Sequence, residues 1–334
     1  MADRVILVGA RRGQERVSVF EIMQMIGRAG RKHGGGVCKA EVILDTKDFV
    51  GVVDEMEKGG KVVVKSSLHN ARQVAFHLLP QVCDGGLSSI PEAEKWLSKT
   101  LTVFQGGSID IEPVIALLEE AKALKRDGDK LSVTKLGRIA ASLYFHAEDV
   151  KAWMDNFTDV FENGLDDDEL SGAWALGNVP VSRNIGDFSD RWDIVSECKA
   201  LVPGGLIIRD GSVINVVLWW CAMGGASAGK MRYKVIGMKD DFGRIKRALC
   251  EIDSYVTRWG KEEYFENLDI RVRRGIPMRL FKLCSMGLSK GLALYLYNMG
   301  VRDEVSLKEC MDTMVLDIED ERSMDTLRGI VESI

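Results

Sequence analysis

The stretch Gln24-Met25-Ile26-Gly27-Arg28-Ala29-Gly30-Arg31 holds the residues whose types and spacing best suit chemistry. Two arginines stand three positions apart, each directly after a glycine. A guanidinium stays charged at any working pH, and its planar fork of donors matches phosphate oxygens. A glycine beside it lets the backbone turn sharply and approach a ligand closely. The chemistry implied is contact with an anion, a phosphate above all. The plain alternative is a solvated basic turn.

Local elements must deliver these side chains. Ser18 and Glu21 read as a capping box that starts a helix. Val19, Ile22, Met23 and Ile26 give it an apolar face. The arginines then fall at its C-terminal end. Residues 3–9 read as a short buried strand before the helix. After a turn at His33–Gly36, residues 37–44 read as a second strand, with Ala40, Val42 and Leu44 alternating. Strand, helix and strand in this order predict a piece of parallel sheet. So few strands cannot close a doubly wound domain.

The pattern Q-x-x-G-R-x-G-R resembles the last ATPase motif of superfamily 2 helicases. Its wording is most similar to the Ski-like group, which includes archaeal DNA-repair helicases and the helicase part of DNA polymerase theta. The resemblance implies a second RecA-like domain facing ATP bound to the first. Arg28 and Arg31 are then arginine fingers on the γ-phosphate, and Gln24, Gly27 and Gly30 line the nucleotide cleft. Neither a phosphate-cradling Walker A loop nor an Asp-Glu-x-His motif is present. The expectation is therefore a C-terminal helicase part that begins inside its second RecA-like domain and turns over no ATP alone. ATP and magnesium would be bound mainly by an N-terminal half. Gly224 to Met231 nearly matches a Walker A loop, but Met231 replaces the magnesium-binding hydroxyl. Gly237 also follows too soon for the long helix a P-loop opens, so a loop between helices is expected there.

Composition sets the wider limits. The chain has 334 residues, 46% hydrophobic and 28% charged, as in water-soluble globular proteins. No apolar run is long enough to span a membrane, and no signal peptide is visible, so an intracellular place (cytoplasmic or nuclear) is expected. Seven scattered cysteines and four unclustered histidines give no metal-ligand spacing, so no metal is expected on this chain. The net charge of −5 is unevenly spread. From Lys230 to Arg302 sixteen basic residues face eight acidic ones; from Asp303 onward three face ten.

The rest of the chain is predicted to be mainly α. Helices at 71–82, 92–104 and from Asp110, a polar turn at 125–130 and a helix start at Thr134 suit a winged helix. The T-x-x-G-R-x-A wording from Thr134 to Ala140 resembles the winged helix of the Ski-like group. A Gly- and Asp-rich stretch at 163–169 suggests a boundary before a helical bundle whose tryptophans are mostly core. Asp240 or Asp241 is expected to cap a helix carrying Arg244, Lys246 and Arg247 on its outer face. This stretch resembles the ratchet helix of the repair helicases, which lies along the single strand. Arg244 matches the family's base-stacking arginine, whereas Glu251 stands where the family has a tryptophan. Around Gly287, Ser289 and Lys290 the pattern resembles a helix–hairpin–helix, whose turn presents backbone N–H groups to a phosphate. Arg271, Arg273, Arg274 and Arg279 add charge nearby.

The expected architecture is mainly α with a small α/β portion. It comprises a partial RecA-like domain (1–64), a winged helix (65–155), a ratchet-like helical bundle (156–268) and a helix–hairpin–helix with an acidic tail (269–334). The expected function is the C-terminal portion or subunit of an ATP-dependent helicase. Its partners would be single-stranded or branched DNA, with RNA as the alternative, and an N-terminal helicase half. The competing class is a non-catalytic nucleic-acid-binding or regulatory module derived from a helicase.

Overall fold

A computed structural model describes residues 4–12, 15–29, 39–58, 64–180, 192–313 and 321–333. The chain is mainly helical and divides into two units, residues 1–66 and 67–334.

In the first unit, β1 (Arg4–Val8) leads into a short hairpin of β2 (Arg11–Arg12) and β3 (Glu15–Arg16). Then come α1 (Val19–Ile26), β4 (Lys39–Ile43) and α2 (Thr46–Glu57). β1 and β4 pair in parallel from Arg4↔Lys39 to Val8↔Ile43, as the element order predicts. Val19, Ile22 and Val52 bury one face, with Leu7 and Val42 packed against them. Ile6, Val8 and Ile43 stay exposed. The hairpin has no counterpart in the sequence reading. Arg11 ties it to α2 through a forked pair with Asp48, at 2.8 and 2.6 Å.

The second unit opens with α3 (Ala71–Cys83), α4 (Ile90–Leu97), α5 (Leu101–Phe104) and α6 (Ile111–Glu120). A hairpin of β5 (Leu124–Asp127) and β6 (Lys130–Val133) follows, then α7 (Lys135–Ser142) and α8 (Ala147–Glu162). The single helix expected over 92–104 is two. Ser98 Oγ donates to the Lys95 carbonyl and Thr100 Oγ1 to that of Leu97, and such back-bonding competes with helix continuation. Asn70, Asp110 and Thr134 each cap the following helix with a side-chain oxygen.

Next come α9 (Ser171–Gly177), α10 (Trp192–Ala200), α11 (Val213–Ala222) and α12 (Arg232–Ile252). A π-turn (Asp253–Thr257) then leads to α13 (Glu262–Arg274). One buried core reaches from Val74 to Val272, with no break across the Gly- and Asp-rich stretch at 163–169. Trp174, Trp219 and Trp220 are buried in it, whereas Trp192 is exposed. Gly177 lets α9 press on α11, since a Cβ there would lie 2.6 Å from the Val216 backbone.

The chain ends with α14 (Met278–Ser285), α15 (Lys290–Asn298), α16 (Glu304–Thr313) and α17 (Glu321–Ser333). They share a second core that includes Leu283, Leu288, Leu296, Leu307 and Leu327. Among the described residues, no helix is long and apolar enough to cross a membrane.

Candidate phosphate and nucleic-acid contacts

The arginine turn is built from α1 outward. The Ser18 side chain accepts from the Glu21 N–H at 3.2 Å, and the Glu21 carboxylate accepts from the Ser18 N–H at 3.1 Å. This is the reciprocal cap read from the sequence. At the other end, the Gly27 N–H bonds to the Met23 carbonyl at 2.9 Å, and the Arg28 N–H to that of Met25 at 3.1 Å. A Cβ on Gly27 would sit 3.2 Å from the Met23 carbonyl oxygen, so a glycine closes the helix tightly. Gln24 and Arg28 are both exposed. No carboxylate among the described residues pairs with Arg28, which leaves its guanidinium open to an anion. Gly30 and Arg31 lie outside the described residues.

The Walker-like stretch joins helices. It follows α11 and contains a short 3₁₀ turn, Gly229–Met231. A long helix does open after it, contrary to the sequence expectation, because α12 passes through Gly237. What is missing is the strand that precedes a P-loop. Gly224 also packs on Gly275, where a Cβ would meet the carbonyl oxygen at 2.0 Å.

The expected cap at Asp240 or Asp241 is not formed, since both residues lie inside α12. Nor do the three cations share an outer face. Arg244 is half-buried and grips Asp241 with two bonds of 2.9 Å. It also donates to the carbonyls of Leu143 and Tyr144, at 3.0 and 3.3 Å. Its charge therefore ties α12 to the end of α7. Lys246 is turned toward α13, where it pairs with Glu266 and, at 3.7 Å, with Asp269. Arg247 alone of the three is largely exposed, holding Glu251 at 2.9 Å.

Around the second motif, α14 and α15 form a tight helical pair. Gly287 takes φ +97, which disfavours any side chain, and Ser289 caps α15 by accepting from the Leu292 N–H at 3.3 Å. Ser289 thus closes the turn with a hydroxyl. Lys290 donates to the Gly275 carbonyl at 2.8 Å, satisfying the C-terminus of α13. The neighbouring arginines diverge. Arg271 is buried, and burial lowers its pKa. Arg273 pairs with Asp269 and Arg279 with Glu169. Arg274 stays exposed, with no ion pair among the described residues. Among those residues no group of three or more side chains could hold a metal ion.

What the described residues offer an anion is thus the exposed Arg28 in the first unit and the exposed Arg247 and Arg274 in the second. The chain is similar to proteins described as ATP-dependent DNA helicase Hel308. The relative from Pyrococcus horikoshii is 24% identical over 340 residues, covering 92% of this chain and 46% of the relative. That from Caldivirga maquilingensis is 33% identical over 159 residues, covering 43% and 21%. That from Pyrobaculum calidifontis is 30% identical over 145 residues, covering 41% and 20%. The likeness to archaeal helicases of the Ski-like group, read from Gln24 to Arg31, is shown by these matches. The chain spans less than half the length of each of these relatives. No protein-family model matches it.

Proposed function

We propose that this chain supplies the nucleotide-sensing turn and the strand-guiding body of an ATP-dependent DNA helicase. The observation that carries this reading is a match to a DNA helicase along 92% of the chain. In this reading residues 1–64 form part of the second RecA-like lobe. Parallel sheets bury both faces, so the exposed Ile6, Val8 and Ile43 ask for a further layer of that lobe. Residues 65–155, whose end falls inside α8, act as the winged helix, α12 as the ratchet-like helix, and α14 with α15 as the helix–hairpin–helix.

ATP, with its magnesium, supplies the bond whose hydrolysis drives movement. The donors on this chain fit that group, because Arg28 and Gln24 are exposed on one helix end. Arg28, with Arg31, stabilises charge on the γ-phosphate as the bond breaks. Gln24 helps organise the cleft. Single-stranded DNA runs over the helical body, with Arg247 contacting its phosphates.

ATP hydrolysis with and without single-stranded DNA tests the reading, on this chain alone and combined with an N-terminal helicase half. The expected result is no turnover alone, turnover in the combination, and its loss with Arg28→Ala. Turnover by the chain alone overturns it. If Arg28→Ala leaves the combination fully active, the chain is instead a binding module without a catalytic arginine.

A further inference from the structure

Two exposed tyrosines on unusual backbone lie at either end of the α7–α12 junction. Tyr144 is 69% exposed and Tyr255 60% exposed. Neither ring packs on another aromatic ring, and neither hydroxyl has a hydrogen-bond partner among the described residues.

Their backbones are unusual in different ways. Tyr144 follows the end of α7 with φ +55. The Phe145 N–H reaches back to the Ala140 carbonyl at 3.0 Å, and the Tyr144 N–H to that of Ala141 at 3.4 Å. Glycine usually fills this left-handed position, because a side chain there is strained. Tyr255 sits on the π-turn that ends α12, an irregularity found often at functional sites. Both peptides are held by cations. Arg244 donates to the Tyr144 carbonyl at 3.3 Å, and Lys135 donates to the Tyr255 carbonyl at 3.2 Å. Two large rings are thus kept in solvent on firmly held backbone, where packing needs neither.

The surroundings select the ligand. Positions 244, 247 and 251 recur at three and four along one side of α12, and Tyr255 follows four residues later on the π-turn that continues it. Arg247 on that side is exposed, Lys135 reaches the Tyr255 carbonyl, and the exposed Arg258 stands three residues after Tyr255 in the chain. Glu251, the acid on that side, is paired with Arg247. Aromatic faces interleaved with cations suit a single strand, whose bases stack while its phosphates meet the charges. Tyr255 lies about 16 Å along the helix from Arg244, room for about four or five stacked nucleotides.

We propose that Tyr144 and Tyr255 are base-stacking platforms for single-stranded DNA, one on the turn after α7 and one on the π-turn. This inference rests on the strand-guiding reading above.

The test is binding of fluorescein-labelled oligothymidylate to the full chain, followed by anisotropy. Tyr144→Ala and Tyr255→Ala should each weaken binding about ten-fold or more, with melting temperatures held. Tyr144→Phe and Tyr255→Phe should keep wild-type affinity, because a phenyl ring stacks as well. Alanine variants that bind like wild type overturn the proposal while the strand-guiding reading stands. Phenylalanine variants that fall as far as alanine also overturn it, since hydroxyls would then carry the contact. If the unaltered chain fails to bind the strand at all, the reading beneath falls and takes this proposal with it.

Discussion

The guanidinium of Arg244 lies 4.3 Å from the centroid of the Phe145 ring. With its fork on Asp241 and its bonds to two α7-end carbonyls, this contact makes Arg244 a clamp between α7 and α12. Arg244→Ala should therefore destabilise the second unit by about 1–3 kcal/mol, from lost charged hydrogen bonds and ring contact. Arg244→Lys should restore little, because an ammonium cannot reproduce the fork. Urea denaturation of the three proteins decides it. A stable Arg244→Ala chain would mean that the arginine is free to serve a ligand.

Gly137 has a packing reason to be glycine. A Cβ there would stand 2.1 Å from the Ala123 carbonyl oxygen, and backbone cannot yield as a flexible side chain can. Gly137→Ala should force α7 away from the Ala123 backbone just before β5 and cost roughly 1–3 kcal/mol. Thermal unfolding gives the size. A variant as stable as wild type would show that α7 can shift at no cost.

The legible parts of the chain were those written in local pattern. The Ser18–Glu21 box, the caps at Asp110 and Thr134 and the parallel pairing of β1 with β4 each rest on a few adjacent residues or on element order. Partner choice was not legible. Arg244, Lys246 and Arg247 look alike in sequence, yet Arg244 bonds Asp241 and two carbonyls just after α7, Lys246 pairs with α13, and Arg247 pairs along its own helix. Gly237 and Asp240 read as a break and a cap, yet α12 runs through both. Its helical continuation instead buries Val235 and Phe242 in the core, which outweighs one exposed glycine at about 1 kcal/mol. The short hairpin β2–β3, with two residues in each strand, is too brief to show an alternating pattern. No local pattern marks Tyr144 or Tyr255, because exposure and backbone sign are properties of the fold.

The Arg11–Asp48 fork should make the first unit acid-sensitive. The Arg11 guanidinium holds the Asp48 carboxyl below its ordinary pKa. A depressed carboxyl favours the folded state fully above the unfolded value, about 4, and the benefit is lost as pH falls through the lower folded value. Asp48→Asn should lower stability at neutral pH and flatten its decline in acid. Hydrogen exchange of the α2 amides across that range measures both. An unchanged acid dependence would remove the fork from the account.

Ser289 tests what the turn before α15 needs. Its hydroxyl oxygen accepts from the Leu292 N–H, so Ser289→Ala should cost about 1 kcal/mol. Ser289→Gly should cost only a few tenths, since glycine also serves as a cap. If phosphate contact by backbone N–H groups is the main role of this turn, Ser289→Gly should keep strand affinity as well. Affinity lost with stability kept would assign the hydroxyl itself to the ligand.

Arg247 separates charge contact from scaffolding. It is exposed and its local partner, Glu251, is four residues away on the same helix, a pairing worth only a few tenths of a kcal/mol. Arg247→Ala should therefore leave unfolding almost untouched. If the residue meets one phosphate, its loss should weaken binding to any single-stranded sequence alike and make the plot of log affinity against log salt shallower by about 0.7. Arg244→Ala, which removes a clamp, should lower stability and leave that slope the same in whatever fraction stays folded. Equal slopes for wild type and Arg247→Ala would take this side of α12 out of the strand's path, because a phosphate contact cannot be lost without fewer counterions being released.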